Sequence, residues 1–133
     1  MNNKHYIICA NATPASIITK LLPPDKEITQ GTLMCITEKG YVDACSKGKI
    51  PVGVACNSVS TWKTNGPISV GPLGQPLRVL LGDAVQAGDA LGFLENGVAQ
   101  KLQKGMLHIG YAMESGTKGN LIAAVTKLPS PII

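Results

Sequence analysis

The chain has 133 residues, 44% of them hydrophobic and 15% charged, with a formal net charge of +4. That is the size of one domain with one modest core, and its apolar content excludes a disordered tail. The eleven Lys and the single Arg78 are scattered without a run of three, and aromatics make up 4% of the chain. A nucleic-acid groove needs clustered cations and stacking aromatics, so no nucleic-acid partner is expected. No apolar stretch is long enough to cross a bilayer, so no membrane partner is expected either. Gly and Pro number 15 and 9, which suits short strands joined by tight turns.

Residues 1–27 read as an N-terminal arm or a first strand. The run "YIICA" at 6–10 is apolar and β-prone. Such a run is costly on a free arm unless it pairs with something, which makes Tyr6, Ile7 and Ile8 candidate contacts with another protomer or a partner. Thr13-Pro14 has the form of an N-cap followed by proline at the first helical position. The stretch "ASIITKLL" that follows is rich in β-branched residues, so helix and strand both stay open. Pro23-Pro24 ends either one.

Residues 28–133 read as a single β-domain that contains an internal repeat. Shifted by 57 residues, 28–58 falls on 85–115 without a gap, and eight of the 31 positions are identical. Gly31, Gly40, Gly48 and Gly53 meet Gly88, Gly97, Gly105 and Gly110. Each copy reads as a short strand ("LMCIT" or "ALGFL"), a turn ("EKG" or "ENG"), a second strand ("YVDAC" or "VAQKL"), another turn, and a third strand ("IPVGVAC" or "LHIGYAM"). Asn96-Gly97 is a strong hairpin signal, since both residues tolerate positive φ. Gly53 and Gly110, inside the third strands, predict a bulge or a close backbone approach. Between the copies "PISV" and "LRVLL" are strands, and "LIAAVTKL" is a last strand. The expected fold is all-β, a small barrel or sandwich of about nine or ten short strands with a pseudo-twofold repeat.

No catalytic set emerges. Asp83 and Asp89 could be paired carboxylates, but their counterparts under the shift are Lys26 and Thr32. They are read instead as turn residues, together with the turn glycines Gly31, Gly40, Gly88 and Gly97. "GDAVQAGDAL" is similar to a stretch of biotinyl and lipoyl carrier domains, yet no "MKM" or "DKA" turn is present to carry a cofactor. There is no nucleophile elbow or phosphate loop, and His108, between Leu107 and Ile109, reads as structural. No cofactor or metal is expected. Cys9, Cys35, Cys45 and Cys56 lack paired spacing and zinc-ligand partners. With no secretory signal in the sequence, all four are expected to be reduced thiols in a cytoplasmic setting. Trp62, the one large aromatic in a polar stretch, either plugs an end of the fold or sits at a contact surface.

The pattern formed by Gly31 to Met34, Gly40, Gly48, "PVGVA" at 51–55, Val85, "GDAL" at 88–91, Gly97, "GYA" at 110–112 and the closing "LIAAV" resembles the head decoration, or capsid cement, proteins of tailed bacteriophages. The resemblance implies a structural, non-enzymatic protein on the outer capsid surface of the virion, assembled in the bacterial cytoplasm. Its partners would be the major capsid protein and itself, as a homotrimer. Many weak contacts per particle would then sum to resist shell opening. The alternative is a carbohydrate-binding or adhesin-like β module, such as a head fibre base.

Overall fold

A computed structural model describes residues 17–131, and they are all strand, turn and loop. Twelve strands follow one another: β1 (Ile18–Leu22), β2 (Glu27–Ile28), β3 (Leu33–Ile36), β4 (Val42–Ala44), β5 (Pro51–Ala55), β6 (Val59–Ser60), β7 (Gly66–Pro72), β8 (Pro76–Leu80), β9 (Ala90–Phe93), β10 (Ala99–Lys101), β11 (Leu107–Ala112) and β12 (Leu121–Pro131). They form two five-stranded sheets, ordered β1-β7-β5-β3-β4 and β10-β9-β11-β12-β8, and a two-stranded ribbon of β2 and β6. Every pairing between these strands is antiparallel. The fold is all-β and sandwich-like, with no sheet closed into a barrel.

Local sequence accounts for the elements. In β8 the side chains alternate, Leu77 and Val79 buried with Arg78 turned outward, as a half-buried strand requires. The β9–β10 turn places Asn96 at φ 60 and Gly97 at φ 66, the left-handed pair that matches the twist of a tight hairpin. Inside β5, a Cβ on Gly53 would lie 2.5 Å from the carbonyl oxygen of Gly71. In β11 the register slips between His108 and Gly110, where a Cβ would run into the carbonyl of Val125. Both third-strand glycines thus mark a close backbone approach.

The two sheets are copies of one unit. Met34 faces Gly53 and Ala44, and Leu91 faces Gly110 and Lys101. The Ile28–Val59 pair of the ribbon recurs as a bridge between Val85 and Gly116. The Gln30 amide donates to Ser58 Oγ over 2.8 Å, and the Ala87 amide donates to Ser115 Oγ over 3.0 Å.

The duplication reaches further than 28–58. Ile18 pairs with Val70 in the first sheet as Leu77 pairs with Ala124 in the second. Hence β1 is the counterpart of β8, and β7 that of β12. The 57-residue offset gives residues before 28 no partner in the repeat. The structure corrects this for 18–22, which form a strand at the edge of the first copy. The shared offset is lost there because the connecting loops differ in length between the copies.

Each copy has its own inner core. In the first it is Leu22, Ile28, Met34, Val42, Ala55, Ile68 and Val70. The structural counterparts Leu81, Val85, Leu91, Ala99, Ala112, Ile122 and Ala124 are all buried in the second. That second core is continuous with a layer between the copies, built from Leu33, Cys35, Cys45, Val54 and Cys56 on one side and Leu77, Val79 and Phe93 on the other. This layer joins the copies into one body.

Candidate functional site

The expectation of free thiols is overturned for Cys35, Cys45 and Cys56, while Cys9 lies outside the described residues. Cys35 and Cys45 form a disulfide with a Cα–Cα distance of 5.1 Å, Cys56 is also disulfide-bonded, and no free cysteine remains among the described residues. The reason is the register of the β3–β4 hairpin. Cys35 lies opposite Asp43, and Cys45, two residues on, shares that face. Sequence spacing alone does not show this, but the register of the hairpin around Glu38-Lys39-Gly40 would have. In the second copy the same positions are Gly92 and Leu102, and Leu102 Cδ1 lies over Gly92, 2.9 Å from where a Cβ would stand.

Asp83 and Asp89 both sit in turns and are not hydrogen-bonded to each other. Asp83 Oδ1 accepts the amide of Ala84 at 2.8 Å, and Asp89 Oδ2 accepts that of Gln86 at 2.9 Å. The ring of His108 packs edge-on against Tyr111, with centroids 4.8 Å apart, and its Nε2 lies 3.0 Å from the carbonyl oxygen of Gly110. Among the described residues no group of His, Cys, Asp and Glu is arranged to hold a metal ion. The described residues hold no helix, and so none long and apolar enough to cross a membrane.

Trp62 is 74% exposed and plugs nothing. Its loop is pinned rather than loose. Thr61 Oγ1 donates to the Pro23 carbonyl and accepts the Lys26 amide, at 2.7 and 2.9 Å, and the Lys63 amide donates to Asp25 Oδ1. The Lys63 ammonium lies 4.4 Å from the Trp62 ring centroid, a cation–π contact. The second copy has no equivalent tryptophan, since its loop at 117–119 is shorter. Tyr6, Ile7 and Ile8, the other candidate contacts, lie outside the described residues.

An open groove of roughly 580 Å³ runs along the β3–β4 hairpin, lined by Pro24, Ile36, Glu38, Tyr41, Asp43 and Lys49 among others. Lys26 bridges to Asp43 at 2.8 Å. Thr37 Oγ1, also lining the groove, is buried with no hydrogen-bond partner among the described residues.

Fold and surface together define a duplicated antiparallel β protein with a rigidly presented tryptophan and exposed apolar side chains on both copies. The same fold is found in a solved structure, the head fibre gp8.5 N base of bacteriophage phi29. The TM-score is 0.68 at 18% identity, covering 88% of this chain and 99% of that chain. The likeness is one of fold. No protein-family model matches the chain, and no curated protein matches it.

Proposed function

We propose that the protein is a structural, non-enzymatic component of a tailed-phage head. It is a cement unit seated on the outer surface of the shell, with the major capsid protein as its partner, and it self-associates as a homotrimer. The observation that carries this reading is the likeness to a head fibre base over nearly the whole length of both chains. Trp62 on its pinned loop is a suitable anchor, because large aromatics held rigidly dominate contact energies. Tyr6, Ile7 and Ile8 would add a strand-like contact to the shell or to a sister protomer. The Cys35–Cys45 disulfide suits a protein exposed on a virion surface, where disulfides persist, rather than one that stays in a reducing cytoplasm.

Many copies, each holding several shell subunits weakly, would stabilise the head by multivalency. The alternative, a carbohydrate-binding or adhesin-like module at the base of a fibre, would use the groove beside Tyr41. Purified protein is mixed with mature, expanded heads and with unexpanded proheads, then sedimented. Saturable retention on mature heads, with DNA held to a higher temperature, is the expected result. Failure to bind either particle, with retention on a glycan array by the free protein, would overturn the proposal in favour of the glycan binder.

A further inference from the structure

The two copies within the chain touch through a one-way contact. The turn of the second copy docks on the first: Gly97 N donates to Cys45 O at 2.8 Å, and Leu33 N donates to Gly97 O at 2.7 Å. Beside it, Leu80 N donates to Gly31 O at 2.9 Å. A reciprocal arrangement would seat Gly40, the counterpart of Gly97, on Ala90 and Leu102, the counterparts of Leu33 and Cys45. It does not occur. Among the described residues Gly40 has nothing within 4 Å of its Cβ position, and neither has Gly88, the counterpart of Gly31. Gly40 N turns back to Thr37 O instead.

The apolar side chains follow the same division. On the receiving face of the first copy Val54 and Cys56 are 0% and 1% exposed, whereas their counterparts Tyr111 and Met113 are 48% and 53% exposed. On the docking end of the second copy Leu77 and Phe93 are buried, whereas their counterparts Ile18 and Ile36 are exposed. The buried cross-strand row Leu33–Val54–Gly71 corresponds to the row Ala90–Tyr111–Val125, which lies open at Tyr111 and Val125. Among the described residues the chain therefore carries one complete interface inside itself, and one uncovered half of that interface at each end.

We infer that copies of the chain associate head to tail through a repeat of this internal contact. The face around Ala90, Tyr111 and Met113 receives the end around Ile18, Ile36 and Gly40 of the next chain. A heterologous contact of this kind closes into a ring when its rotation allows, and a trimer built this way alternates first and second copies around that ring. The inference deepens the self-association included in the proposed function, but its argument is the geometry of the internal interface. The shell is absent from its test, so loss of shell binding and loss of self-association are read separately.

The full-length protein is studied alone by native mass spectrometry and light scattering, as wild type and as Tyr111→Glu and Ile36→Glu. Both altered side chains are exposed, so the melting temperature should stay within a few degrees of wild type. Met113→Glu and Ile18→Glu replace them if either fails to fold. Wild type should be oligomeric, and each variant alone monomeric. A mixture of the two variants should give a 1:1 heterodimer and nothing larger, because one intact contact remains between the unaltered face of Ile36→Glu and the unaltered end of Tyr111→Glu. Wild type that stays monomeric would overturn the inference. So would variants that oligomerise like wild type, or two monomeric variants whose mixture yields no heterodimer.

Discussion

The amide of Gly97 donates to the carbonyl oxygen of Cys45 over 2.8 Å, and through it a hairpin turn of one repeat is locked to a strand end of the other. Gly97→Ala adds a methyl group 2.5 Å from Thr32 Cγ2 and 2.6 Å from Leu33 O, neither of which can retreat without parting the copies. The expected cost in urea denaturation is about 2–4 kcal/mol, the range of overpacking added to a left-handed φ. Gly40→Ala bears only the conformational term, about 1 kcal/mol, because its surroundings are open. Equal costs at the two glycines would show that the Gly97 contact contributes nothing to the joint.

Much of this architecture is legible in the sequence. The hairpins of both copies announce themselves through glycines at fixed turn positions and alternating apolar residues, so 28–58 and 85–115 align by eye. The flanking strands do not. Residues 18–21 and 77–80 pair in the same way in their sheets, but loops of unequal length displace them from the common offset. The one-way joint is illegible for a different reason. Phe93 and Ile36 are both apolar, as are Val54 and Tyr111, so nothing in the residue types tells which member is covered. The disulfide was hidden by its dependence on register, which the absence of C-x-x-C spacing does not address.

The Cys35–Cys45 bridge closes a short loop, with a sequence separation of 10. The chain-entropy account gives such a bridge roughly 3 kcal/mol. Replacing both residues by Ser should lower stability by about 2–4 kcal/mol while the strand pairing survives, because the β3–β4 ladder does not pass through the sulfurs. Trypsin cleaves after Lys39, between the two cysteines. The resulting peptides should stay joined in the unreduced wild-type digest and come apart in the variant. Separate peptides in the unreduced wild type would refute the bridge.

Asp83 and Asp89 are expected to serve their turns as hydrogen-bond acceptors rather than as charges. An Asn side-chain oxygen can accept the same amide. Asp83→Asn and Asp89→Asn should therefore each cost at most about 1 kcal/mol and leave head binding unchanged. A folded Asp89→Asn protein that no longer binds heads would assign that carboxylate a functional role.

Thr126 governs the connection between the copies. It is buried at 4% exposure, and its counterpart in the first copy is Pro72, so this hydroxyl has no equivalent there. Its Oγ1 accepts the amides of Gly74 and Gln75 at 3.1 and 3.3 Å and donates to Gln75 O at 2.6 Å. That one oxygen serves three backbone groups of the tight loop leading from β7 into β8. Thr126→Val keeps the shape and removes the hydroxyl, so the Gly74 and Gln75 amides lose their acceptor while Gln75 O keeps the Thr126 amide, at a cost of about 2–3 kcal/mol. Thr126→Ser keeps the hydroxyl and loses one methyl group, about 0.8 kcal/mol. Hydrogen exchange should find the Gly74 and Gln75 amides faster in the Val variant and near wild type in the Ser variant. If Val and Ser prove equally stable, with unchanged exchange at both amides, the hydroxyl is not what holds the loop.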